Sequence, residues 1–199
     1  MTRMTALTAL LAVLLVAGCG QAERPYRPVE APAPATTSAA ATSSAARPPS
    51  TVDVGEDLRV QVAWPARDDQ LIRLFPEFYT DSWQAVVSGG DRYLRHVEPP
   101  LMAETAAWVR AFTGEERSAT GVARLFRLRV HAAMGKGAQL AVCVDETRLR
   151  IVSARTGKAI TPQPASSRAP YLQTVLAHRG DDGVWRIRRL SHSKEGCSR

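Results

Sequence analysis

The sequence predicts an α+β fold, with N-terminal helices packed on an antiparallel sheet of four to six strands. Three observations carry this. Apolar residues recur at helical spacing between about residues 76 and 112. From about residue 123 onward the apolar period shifts from 3.6 to 2. The alternating segments are joined by short turns rich in glycine, which suits antiparallel neighbours and separates helices from strands along the chain.

Two blocks precede this domain. Residues 1–18 read as a signal peptide: Arg3 gives a positive start, and Leu7 to Val16 is an apolar run broken only by Thr8. The run is too short to span a hydrocarbon core of about 30 Å, which takes roughly 20 apolar residues. It closes on Val16-Ala17-Gly18-Cys19, which resembles the bacterial lipobox. That resemblance implies cleavage before Cys19, diacylglycerol on its thiol (hence palmitate-type acylation) and acylation of the new amino terminus. Two acyl chains hold a protein stably at a membrane where one does not. An ordinary secretory signal with an incidental cysteine is the alternative. Residues 19–52 are read as the lipidated Cys19 and a disordered Pro/Ala/Ser/Thr tether. Between 20 and 50 its only large apolar side chains are Tyr26 and Val29, too little to offset the entropy of ordering. Such a chain reaches roughly 30 Å, enough to lift a domain clear of headgroups.

The domain is placed at 53–199. "DLRVQVAW" (57–64) alternates Leu58, Val60, Val62 and Trp64, the mark of a strand or extended lead-in. Pro76 suits a first helical position, and Glu77 and Asp81 favour the positive end of the dipole. Tyr79, Trp83 and Val86 then form one apolar stripe, stopped by Gly89-Gly90. A short helical piece over 91–97 ends at Pro99-Pro100. A helix over about 101–112 puts Leu101, Thr105, Trp108 and Phe112 on one face. In "ARLFRLRVHAAM" (123–134), Phe126, Leu128 and Val130 alternate with Arg127, Arg129 and His131. After the Gly135-Lys136-Gly137 turn, "AQLAVCVDE" (138–146) is a near-continuous apolar strand through Cys143. "RLRIVSA" (148–154) runs to a turn at Arg155-Thr156-Gly157-Lys158. "YLQTVLAHR" (171–179) and "GVWRIRRLSH" (183–192) flank "GDDG", a hairpin turn.

Charge is unevenly spread within a net +7. Residues 51–116 hold six Arg against twelve Asp and Glu, whereas 117–199 hold sixteen Arg and Lys against five. The asymmetry suits an anionic partner such as a lipid headgroup or envelope polymer. Three Lys against 23 Arg, with no Asn, also resembles the codon bias of a GC-rich genome.

The helix in "SWQAVVSGGDRYLRHV", the long central strands and the closing "GVWRIRRLS" strand are similar to the nuclear transport factor 2-like cone, also called SnoaL-like or cystatin-like. The likeness covers about 65–192 and implies a strongly curved sheet around a pocket. The "CVD" strand, "TGK" turn and "W.I" strand with a Cys soon after also resemble uncharacterised lipoproteins of Gram-positive bacteria with high GC content. That likeness carries no activity.

With Cys19 lipidated, Cys143 and Cys197 remain as a pair in an oxidising compartment, where a disulfide is expected. A metal pair and two free thiols are the rivals. No CxxC spacing occurs and no His lies near Cys143, so neither metal nor cofactor is predicted. "RGD" at 179–181 is what a tight hairpin requires. "TGK" at 156–158 lacks the first glycine of a phosphate loop. Arg127, Arg129, Arg186 and Arg188 are anion-binding candidates, since each pair points to one side of its strand by period 2. They share a surface only if the two strands are neighbours in register. Relatives of this fold that catalyse use a buried Asp or His as general base. His96 (beside a solvated helix end), His131, His178, His192 and Asp145 (able to pair with Arg148) are the candidates for that role, and no spacing selects one.

The reading is therefore a membrane-anchored, extracytoplasmic lipoprotein whose domain is a non-catalytic module for an envelope protein or small apolar ligand. A pocket enzyme (isomerase, cyclase or dehydratase) and a tethered binder of anionic polymer are the alternatives. No nucleic acid is expected.

Overall fold

In the computed structural model, residues 48–66 and 69–197 are described. Cys19, the signal peptide and nearly all of the tether lie outside them. The α+β architecture expected from the sequence is found. Two helices pack on a curved, unclosed and mostly antiparallel sheet.

Strand β1 (Ser50–Asp53) pairs antiparallel with β2 (Leu58–Val62), and β2 runs parallel to β3 (Arg117–Met134). Between β2 and β3 lie α1 (Gln70–Ser88), a 3₁₀ turn at Arg92–His96 and α2 (Pro99–Gly114). Strands β4 (Gly137–Ser153), β5 (Tyr171–Arg179) and β6 (Trp185–Ser193) continue from β3 as an antiparallel meander, giving the sheet order β1-β2-β3-β4-β5-β6.

The tether ends earlier than the sequence suggests. Ser50–Val52 belong to β1, where β-branched Thr51 and Val52 pair with Gln61 and Val60 along the outer edge of β2. Helix α1 also starts earlier. Asp69, not the segment before Pro76, caps it, its Oδ1 accepting from the Ile72 amide at 3.0 Å. Pro76 therefore sits inside the helix, buried on its core face, and removes one backbone donor there. Gly89 ends the helix at φ 82°, its amide bonded to Ala85 O. Pro99 and Pro100 open α2 instead of only closing the piece before it.

The stripe of Tyr79, Trp83 and Val86 is buried against the sheet. Opposite stand Leu125, Leu140, Val142, Val144, Ile151, Val175 and Ile187, each 2% exposed or less. Burying each such side chain contributes about 1.5–3 kcal/mol. The alternation expected through β3 fails in one place. Register shifts between Phe126 and Arg129, and Arg127 takes φ 52°. This bulge puts Leu125 and Leu128 in the core and leaves Phe126 half-buried under the guanidinium of Arg124, 5.2 Å from its ring centroid. Similar shifts at Val122/Arg124 and Leu176/Ala177 bend the strands around the helices.

Cys143, buried on β4, is joined to Cys197 at the end of the described chain, with Cα atoms 5.6 Å apart. Among the described residues no helix is long and apolar enough to cross a membrane.

Candidate functional site

A cavity of about 310 Å³ opens between the two helices and the sheet. From α1 come Phe75, Phe78, Tyr79, Ser82 and Trp83, one helical face that includes the predicted stripe. From α2 come Leu101, Thr105, Trp108 and Phe112, the four residues expected to share a face. Trp83, Trp108 and Phe112 touch one another edge to face or tilted, with centroids 4.9–5.4 Å apart. The sheet adds Glu146, Leu149, Ile151, Tyr171, Gln173 and Leu190. The segment after β4 closes one side with Pro164 and Ser167. Gln163 fixes it there by accepting from the Ile151 amide and donating to Ile151 O, both at 2.9 Å.

One carboxyl group lies buried in this cavity among the described residues. Glu146 is 6% exposed, and its Oε1 accepts from the hydroxyls of Tyr79 at 2.6 Å and Tyr171 at 3.3 Å. Its Oε2 accepts no hydrogen bond among the described residues. Burial pushes both phenols well above their usual value, and the neighbouring Glu146 carboxyl pushes them further. Both tyrosines are therefore neutral donors at physiological pH.

The adjacent residue explains how Glu146 is aimed. Val122 pairs with Arg148 but Arg124 pairs with Asp145, so β4 carries a bulge at Glu146–Thr147. Asp145 holds the bulge, its Oδ1 accepting from the Thr147 amide at 3.0 Å and its hydroxyl at 2.6 Å. Asp145 is thus the support, and its neighbour is the group in the cavity. Sequence reasoning missed Glu146, yet a signal was present. Leu140, Val142 and Val144 all point inward, and period 2 carries Glu146 onto the same face.

The other sequence candidates lie elsewhere. His96 is buried, not solvated: its Nε2 lies 2.9 Å from Asp81 Oδ2. The same Nε2 lies 3.2 Å from Arg95 Nε, so the ring is held between a guanidinium and a carboxylate. His178 Nδ1 meets Glu98 Oε1 at 2.7 Å, His131 is exposed beside Arg129, and the His192 ring lies 6.1 Å from that of Tyr171. None of the four lines the cavity.

The four arginines do not gather. β3 and β6 are separated by β4 and β5, which puts their backbones roughly 14 Å apart at usual strand spacing. Arg186 is held by Asp182 at 2.6 Å, which lowers the Asp182 carboxyl to about 2. Arg188 lies 3.6 Å from Glu98, Arg129 donates to His131, and Arg127 sits in the bulge over Phe126. The condition for a shared surface, neighbouring strands in register, is not met, since β4 and β5 lie between. The "RGD" residues form the β5–β6 turn, with Asp181 paired to Lys136. Among the described residues no group of three or more His, Cys, Asp or Glu could hold a metal.

Fold and cavity together define an α+β pocket domain. No protein-family model and no curated protein matches the chain. Solved structures similar to it include the intermembrane-space region of the chloroplast protein ARC6, 12% identical, covering 65% of this chain and 99% of that one at a TM-score of 0.47. An NTF2-like protein of unknown function from Pseudomonas aeruginosa is 15% identical, covering 64% and 100% at a TM-score of 0.41.

Proposed function

We propose that this chain is a lipid-anchored, extracytoplasmic protein of the cell envelope whose α+β domain takes up a small, largely apolar ligand without transforming it. One observation carries the reading: a cavity of about 310 Å³ walled by aromatic and aliphatic side chains, with a single buried carboxyl fixed by two tyrosines. A mostly apolar, pre-formed cleft with few placed polar groups is the usual form of a small-molecule site.

The state of the cavity's donors favours binding over catalysis. Ser82 donates to Phe78 O, Thr105 to Leu101 O, Ser167 to Pro164 O, and Gln173 to Ser191 O. Both tyrosine hydroxyls are engaged with Glu146. Chemistry that develops negative charge needs donors aimed at that charge, and these six are committed to the protein, leaving the Ser166 hydroxyl and the Trp108 indole in the lining. The anchor rests on the lipobox-like Val16-Ala17-Gly18-Cys19 and the tether that follows.

Titrating the full chain with the neutral fluorophore N-phenyl-1-naphthylamine tests the pocket. Saturable one-to-one binding is expected, with changed emission from Trp83 and Trp108; a purely linear, unsaturable signal refutes it.

A second reading has Glu146 behind it. A buried carboxyl beside an apolar cavity is placed to take a proton from a bound carbon acid, as an enzyme of the SnoaL-like type would require. Solvent-hydrogen exchange into a bound ketone that disappears in Glu146→Gln would move the conclusion to that reading.

A further inference from the structure

We infer that the ligand of this cavity is an organic cation: an ammonium centre carried on an apolar body, its charge seated against Glu146 and the surrounding aromatic rings. This rests on reading the cavity as a small-molecule site.

The charge of the lining is the first ground. It contains two carboxyl groups, Glu146 inside and the exposed Glu104 on α2, and no Lys, Arg or His among the described residues. That is unexpected for a chain of net charge +7 whose second half holds sixteen basic side chains against five acidic. Strands β3 to β6 supply most of those arginines, and none reaches the cavity.

The second ground is the incomplete pairing of Glu146. A buried carboxyl is ordinarily matched by a cation or a full set of donors. Here two phenols supply hydrogen bonds but no positive charge, and both fall on Oε1. Oε2 accepts nothing among the described residues, and it is open to the cavity, since no fully buried side-chain oxygen or nitrogen among them lacks a hydrogen bond. A bound ammonium would supply the missing charge at that oxygen.

The third ground is the wall. Tyr79, Trp83, Trp108, Phe112 and Tyr171 all line the same space. Aromatic faces carry negative potential and attract cations within about 6 Å, most strongly where water is displaced. A neutral apolar ligand would gain nothing from the carboxyl, and an anion would be repelled by it.

Calorimetric titration of the full-chain protein with three probes of nearly one shape decides the matter. Benzyltrimethylammonium is the cation, 2-methyl-1-phenylpropan-2-ol the neutral analogue and 2,2-dimethyl-3-phenylpropanoate the anion. The cation is expected to bind at least about tenfold tighter than the neutral analogue, with the anion weakest. In Glu146→Gln the cation should fall to the level of the neutral analogue, whose own affinity changes less than about twofold. Equal binding of cation and neutral analogue overturns the inference and leaves the pocket reading standing. Absence of binding by all three overturns both. A cation preference that survives Glu146→Gln in folded protein overturns the role of Glu146. The wild-type comparison needs no variant, so a failure of Glu146→Gln to fold leaves the test intact.

Discussion

The hydroxyl of Tyr79 on α1 donates to Glu146 Oε1 on β4 at 2.6 Å, joining residues 67 apart in the chain. The bond ties helix to sheet across the cavity floor and sets the carboxyl before any ligand arrives. Both partners are buried, so losing the Tyr79 hydroxyl leaves Glu146 with only the longer bond from Tyr171, away from water. Tyr79→Phe should therefore cost about 1–3 kcal/mol in urea unfolding at pH 7, and Tyr171→Phe less, its bond being 3.3 Å.

The same pair makes stability depend on alkaline pH. Burial, then Glu146, raises both phenols in the folded protein, while in the unfolded chain they ionise near 10. Below that pH both states keep their protons and the contribution is whole. Above it the unfolded chain releases protons first, so stability falls as pH rises, by up to about 1.4 kcal/mol per pH unit for each tyrosine. Urea unfolding free energies of wild type and the Tyr79→Phe, Tyr171→Phe double variant, measured from pH 8.5 to 11, should converge, the wild type starting higher and falling more steeply. Parallel curves would contradict the burial of these phenols.

A glycine in β3 is required where the strand meets β4. Gly121 has φ 99°, and a Cβ there would fall inside the van der Waals sphere of Arg148 O, on the partner strand beside the Glu146 bulge. Gly157, also at positive φ (70°), has open space around it. Gly121→Ala should destabilise by at least about 3 kcal/mol, combining backbone strain with a backbone clash, and Gly157→Ala by about 1 kcal/mol. Thermal unfolding of the two variants should separate them clearly; equal losses would show that β3 and β4 do not approach this closely.

Cys143 sits mid-sheet and Cys197 at the end of the described chain, so their bridge closes a loop with a sequence separation of 54. In the chain-entropy model such a crosslink stabilises by about 4 kcal/mol. Cys197→Ser should lower the urea-unfolding free energy by about that amount, with a non-reducing digest of wild type yielding one crosslinked peptide pair. Two free thiols in protein from its native compartment would remove the bridge.

What the sequence disclosed follows from how local each feature is. The stripe of Tyr79, Trp83 and Val86 and the face from Leu101 to Phe112 are set by helical period, and both were readable before any fold was known. The turns at Gly135–Gly137 and Gly180–Gly183 were readable for the same reason. The start of α1 was misplaced because Pro76 is a strong first-turn signal, and burial of its ring on the core face outweighs the lost donor. Bulges erased the alternation at Phe126, since an extra residue reverses which side faces in, and only the partner strand's register reveals one. Glu146 shares the inward parity of Val142 and Val144, a signal that its place at the polar end of an apolar run masks. The dispersal of Arg127, Arg129, Arg186 and Arg188 depended on strand order, which no local pattern contains.

The anchor is tested at Cys19 itself. A thioether to diacylglycerol forms only on sulfur, so Cys19→Ser removes the proposed attachment point while leaving the apolar run from Leu7 to Val16 unchanged. The wild-type mature chain should begin at Cys19, carry added acyl mass in intact-protein mass spectrometry and sediment with membranes. The variant should lose that mass and move to the soluble fraction or the medium, or persist as uncleaved precursor recognisable by its full 199-residue mass. Because the apolar run is too short to span the bilayer by itself, the proposed anchor requires the lipid for stable membrane retention. A wild-type protein that is soluble, unmodified and indistinguishable from Cys19→Ser would remove the anchor, and the cavity would then have to be explained without a membrane beside it.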